Sequence, residues 1–154
     1  MHVIIATDGS KQSLQAARYL RSVADPESIT SVSVLAVVSP LAAVPFATES
    51  DSGHKDIEDL SFRTAAQAAT AQVAAELDGW GPKISQQIRS GSPASEILKA
   101  AKAKDTGLIV VASQSSRASA VLMGSVAHRV LNQATCPVLV VRPGAKPKKV
   151  VRKK

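Results

Sequence analysis

Residues 107–142 read GLIVVASQSSRASAVLMGSVAHRVLNQATCPVLVVR. Leu108-Ile109-Val110-Val111-Ala112 is apolar on both sides of an extended chain, the pattern of a strand covered on two faces. Pro137-Val138-Leu139-Val140-Val141 repeats it. Between them lie a serine-rich loop and a helical pattern from Ser125 to Gln133. Strand, helix, strand is a crossover unit, and a crossover joins parallel strands.

The same alternation continues toward the N-terminus. Ser92-Pro93 opens a helix with a capping residue and a proline at its first position; Ile97, Leu98 and Ala101 form its apolar stripe, and Gly107 is expected to close it. Lys83 to Arg89 reads as a more polar strand, preceded by an alanine-rich helix over about 55–78. From Ser39 to about Lys55, a stretch that includes His54, prolines and serines predict a long loop. Residues 30–38 and Val3-Ile4-Ile5-Ala6 are two further apolar strands. The helix between those two carries Leu14, Ala17, Tyr19, Leu20 and Val23 and stops at Asp25-Pro26, since the residue before proline is pushed out of the α region. Five strands alternating with four helices predict a single-domain, doubly wound parallel α/β sheet, Rossmann-like, with helices on both faces.

Composition narrows the function. The 154 residues suit one domain, and 45% apolar content is that of a globular chain. The longest apolar run falls short of the roughly 18 residues of a membrane span, and Met1 leads straight into a strand, so a cytoplasmic protein without a signal peptide is expected. One cysteine, Cys136, excludes an internal disulfide and any multi-cysteine metal site. The net charge of +7 is local: six of the 19 basic residues follow Pro143, leaving 13 against 12 acidic ones. The tail, 144–154, reads as a disordered, solubilising end or as a non-specific contact for polyanions. Four scattered aromatics (Tyr19, Phe46, Phe62, Trp80) make no stacking platform for single strands.

In open parallel sheets ligands bind beyond the carboxyl ends of the strands. Asp8-Gly9-Ser10, Val37 and 113–125 follow strands one, two and four. The chain has no G-x-G-x-x-G, no P-loop and no G-x-S-x-G elbow. His2, His54 and His128 lack metal-ligand spacing and read as surface or packing residues. Asp8 is open to two readings, a contact to a ligand or to Mg²⁺ and a cap of the following helix; Ser10 reads as a cap rather than a nucleophile.

Together ATDGS (6–10), GSPASEIL (91–98), GLIVVAS (107–113) and GSVAHRVLNQATCPVLVVRP (124–143) resemble the universal stress protein family, a likeness that covers residues 2–143. The resemblance implies a five-stranded sheet of order 3-2-1-4-5, of the adenine-nucleotide α-hydrolase-like type, and a homodimer through the last strand (Val138, Leu139, Val140, Val141). Some members bind ATP, through G-x-x-G, nine residues and G-[ST]; others lack the motif.

Here Gly124-Ser125 is intact, with Val126 behind it, but Ala112 and Ser115 stand where the two glycines are expected, and eight residues separate Ser115 from Gly124. Asp8, with Ala6 and Thr7 before it, matches the nucleotide-contacting aspartate, and Val37 the residue beside adenine. Arg117 and the hydroxyls of Ser113, Ser115, Ser116 and Ser125 offer phosphate donors in place of the missing glycines. The expectation is a stress-response protein with an ATP site of altered phosphate loop, used with Mg²⁺ and at most slowly hydrolytic. The alternative is a dimeric interaction module of the same fold that binds no ATP.

Overall fold

Side chains alternate across the buried strands and divide the interior into two cores. The computed structural model describes residues 1–39, 52–114 and 123–146, residues 52–59 by backbone alone. The elements are β1 (His2–Ala6), α1 (Lys11–Val23), a 3-10 turn (Pro26–Ser28), β2 (Ser31–Val38), α2 (Ser52–Glu76), β3 (Lys83–Ser90), α3 (Pro93–Ala103), β4 (Leu108–Ala112), α4 (Ser125–Gln133) and β5 (Val138–Val141). All strand pairs are parallel, in the order β3-β2-β1-β4-β5.

On one face Val3, Ile5, Val32, Val34 and Val110 meet Ala16 and Leu20 of α1 and Val73 of α2. On the other, Ile4, Leu35, Ile109 and Val111 meet Ala94 and Ile97 of α3 and Ala127 and Val130 of α4. β1 lies at the centre: Ile4 pairs with Ser33 on one side and Ile109 on the other. The helix after β1 covers one face and the helix after β4 covers the other. That reversal opens a crevice at the carboxyl ends of β1 and β4.

Several boundaries differ from expectation. α2 begins at Ser52, so His54 lies in its first turn and not in a loop. α3 was expected to be closed by Gly107, but it ends at Ala103 with Lys104 as its cap, and Asp105 takes a left-handed conformation (φ 48°). Gly107 instead belongs to the sheet: its N–H bonds His2 O at 2.9 Å, and a Cβ there would stand 2.9 Å from Met1 Cβ. Close approach, not helix termination, selects glycine at this position. Ser92 is the cap residue of α3, but its side chain makes no capping bond. His2 is a packing residue, its ring bonded to Thr106 Oγ1 and Ser33 Oγ, each at 2.9 Å. No described helix is long and apolar enough to cross a membrane.

Candidate functional site

The crevice holds a cavity of about 190 Å³, walled by the ends of β1, β2 and β4 and the first turns of α3 and α4. Of the residues expected from sequence, Ala6, Thr7, Asp8, Val37, Ala112, Ser113, Gly124, Ser125 and Val126 all line it. Ser115 and Arg117, with Ser116, lie outside the described residues.

The β1 end is built by hydrogen bonds. Thr7 N–H reaches Leu35 O at 2.9 Å, tying the turn to β2. The buried Thr7 hydroxyl pairs with Ser13 Oγ (2.9 Å) and accepts from Gly9 N (3.2 Å). Asp8 is exposed, and its Oδ1 accepts from Ser10 N at 2.9 Å. Ser10 Oγ in turn accepts from Ser13 N and caps α1. The capping role is therefore Ser10's. Asp8 steadies the cap residue and keeps its carboxylate in water at the cavity rim, which removes the cost of ending a buried strand on a charge.

The β4 end is a pinned loop. Ser113 N–H bonds Val141 O at 2.9 Å, and Ser113 O accepts from Gly124 N at 2.6 Å, so the residues on either side of 114–123 are held together. Gly124 has φ −61° and ψ 153°, which any residue can adopt. A Cβ there would stand 3.3 Å from Ser113 O, a tight approach, so proximity rather than handedness favours glycine. Gly124 offers no side-chain cap, and the first intrahelical bond of α4 is His128 N to Gly124 O. The N–H groups of Ser125, Val126 and Ala127 thus have no acceptor within their helix, and the positive end of the helix dipole faces the cavity.

Sequence reasoning missed the apolar wall. Leu35 lies two residues before Val37 on the same face of β2, and Pro93 and Ile97 stand one turn apart on α3. Period-two and i, i+4 spacing carried that signal, but nothing in the sequence alone brings β2 and α3 to one crevice. Beside this wall Glu96 bonds Lys99 Nζ (2.8 Å) and Arg89 Nε (2.9 Å), and these two cations hold its carboxyl below the usual carboxylate range. Among the described residues no cluster of histidine, cysteine or carboxylate side chains is placed to hold a metal by itself.

A five-stranded parallel sheet of order β3-β2-β1-β4-β5, with a crevice at its switch point, defines a doubly wound α/β protein. Comparison with known proteins gives the family. Residues 1–142 match the model of the universal stress protein family. Universal stress protein MJ0531 of Methanocaldococcus jannaschii is 35% identical over 149 residues, 96% of this chain and 83% of that protein. The chain belongs to the universal stress protein family. Solved structures share the fold: universal stress protein UspA from Lactobacillus plantarum superposes with a TM-score of 0.77 at 19% identity, over 92% of this chain and 97% of that one. A family member from Arabidopsis thaliana, solved with AMP bound, superposes at 0.65 and 16%, over 97% of each.

Proposed function

We propose that the crevice binds an adenine nucleotide, with the base against Leu35, Val37, Pro93 and Ile97 and the phosphates toward the start of α4. One observation carries this reading: the N–H groups of Ser125–Ala127, which have no acceptor within their own helix, share a cavity with an apolar wall across the strand ends. Anions are stabilised at such a helix start by donors and dipole together. An apolar wall takes a base without needing matched hydrogen bonds. The AMP-bound Arabidopsis protein supports the same ligand class. Asp8 suits Mg²⁺, which is commonly held by one or two carboxylates together with substrate phosphates and water. The role assigned is binding or sensing in a stress response; hydrolysis, where measured, is expected to be slow.

Calorimetric titration with AMP and with ATP and Mg²⁺, alongside mass analysis of nucleotide released on denaturation, tests the reading. A Kd below about 1 mM for at least one ligand is expected. Absence of both binding and released nucleotide would overturn it. Replacing Ala112 and Ser115 together by glycine is expected to raise ATP affinity; unchanged affinity would remove the account of what the loop lacks.

We also propose that β5 pairs with a second copy of the chain. β5 is an edge of the sheet, and its Val138, Leu139 and Val140 are only partly buried. Exposed Leu131 of the adjoining α4 adds apolar surface nearby. An apolar edge strand left open invites uncontrolled association, and a two-fold pairing removes it.

A further inference from the structure

We propose that Glu96 is a positioning residue for ligand selection: through Arg89 it sets the spacing of the apolar wall that receives the base, an inference that deepens the nucleotide reading above and rests on it. The first turn of α3 lacks its usual support. Glu96 N–H bonds Ser92 O at 2.9 Å, but the Ser92 side chain caps nothing. The Glu96 side chain anchors this end of the helix instead. Glu96 is 8% exposed, a burial that a carboxylate tolerates only when it is paired. Its Oε2 accepts from Arg89 Nε at 2.9 Å and its Oε1 from Lys99 Nζ at 2.8 Å. It also lies against the Gly91 backbone, where a Cβ would stand 2.9 Å from Glu96 Cγ and where φ is 143°. Space and handedness both favour glycine there.

These contacts converge on the base wall. Arg89 of β3 is the register partner of Val37 in β2, so the two side chains leave the sheet on the same face. Gly91 N–H bonds Val38 O at 3.0 Å, one residue beyond Val37. Glu96 lies three residues after Pro93 and immediately before Ile97. Val37, Pro93 and Ile97 all line the cavity. The Arg89–Glu96 pair therefore joins the strand side of the wall to its helix side.

Apolar packing alone fixes that spacing poorly. Ala94, Ile97, Ala100 and Ala101 seat α3 on the sheet, three of them with the smallest of apolar side chains. Such contact is non-directional, whereas a charge-assisted hydrogen bond fixes distance and angle. The pair can also be broken without stranding a buried cation. Arg89 and Lys99 keep 35% and 66% of their side chains exposed, so both stay solvated when the carboxylate is removed.

Calorimetry and thermal denaturation on the full chain test the assignment. The proteins are the native chain, Glu96→Gln, Arg89→Met, Arg89→Lys and the double variant Arg89→Met with Glu96→Gln, each titrated with adenosine, AMP and cytidine. Glu96→Gln and Arg89→Met are each expected to weaken adenosine binding about fivefold, and the double variant no more than either alone, because both break one contact. The preference for adenosine over the smaller cytidine is expected to shrink in parallel. Arg89→Lys, which keeps a cation, is expected to recover part of the loss. A lowered melting temperature with native adenosine affinity and preference would make the pair purely structural and overturn the positioning role while the nucleotide reading stands. Losses that add in the double variant would also overturn it, leaving two independent contacts. If Glu96→Gln does not fold, Arg89→Met decides alone, and native adenosine affinity in that variant overturns the role. A native chain that binds neither adenosine nor AMP removes the nucleotide reading and the positioning role together.

Discussion

Gly124 and His2 show how one position can carry a constraint that its own backbone conformation does not reveal. Gly124 sits in an ordinary extended conformation, yet an added Cβ would stand 3.3 Å from the Ser113 carbonyl oxygen, a tight contact. Gly124→Ala is expected to cost about 1 kcal/mol, which lowers the melting temperature by about 2–4 °C, and to weaken nucleotide binding as the start of α4 shifts. Thermal denaturation and calorimetry on one preparation check both effects. A variant with native melting temperature and native affinity would show that the close approach is inconsequential.

His2 is expected to contribute a pH dependence to stability. Burial first, then the nearby Lys104 ammonium and the N-terminal amine, lower its affinity for a proton in the folded chain. An unfolded chain takes that proton near pH 6.5, so below this value the unfolded state binds more protons and stability falls with pH. Glu96 and Glu76, both held ionised by bonded cations, add a second loss below about pH 4.5. Urea unfolding between pH 5 and 8 should show the first loss in the native chain and a flatter profile in His2→Gln. An unchanged profile would exclude His2 as the source.

Among the elements, α1 depends most visibly on its first turn. Ser10 Oγ accepts from Ser13 N at 3.2 Å while Asp8 holds the backbone of Ser10. Ser10→Ala is expected to lose about 1 kcal/mol in chemical denaturation, and Ser10→Asp, which keeps an acceptor, to recover most of it. If alanine and aspartate behaved alike, the cap would not be the source of the stability.

The readable elements were those with one dominant signal. β1 and β4 are apolar on both sides because both of their faces are covered, and α1 and α4 carry clean apolar stripes. The start of α2 was hidden because Ser52 and Gly53 read as loop residues, although a helix of 25 residues runs through them. The crevice was half legible. Residues at strand ends follow from topology, and the period of a strand marks a face. The meeting of Leu35 with Pro93 and Ile97 depends on how α3 lies across the sheet, which local periodicity does not encode.

At the scale of the whole molecule, charge and shape are unevenly distributed. Without its last six cations the chain is almost neutral, so nearly all of its net positive charge is concentrated after Pro143. Light scattering at micromolar concentration is expected to return twice the 16.0 kDa chain mass, as pairing through β5 requires. A single-chain mass would remove the dimer and leave β5 as an open edge.

The strand order also bears on synthesis at the ribosome. β1 is the first strand made and the central one in the finished sheet; β2 and β3 can join it early, but β4, its other neighbour, begins only at Leu108. Translation from Ser90 to Ala112 takes about 1–4 s at roughly 5–20 residues per second. If β1, β2 and β3 pair before β4 is available, that sheet has an open edge at β1 and leaves Ile4 bare on the face that α3 and α4 cover in the folded chain. The central strand of the folded protein is thus the one whose second edge waits longest for its partner, and pairing with β4 closes it.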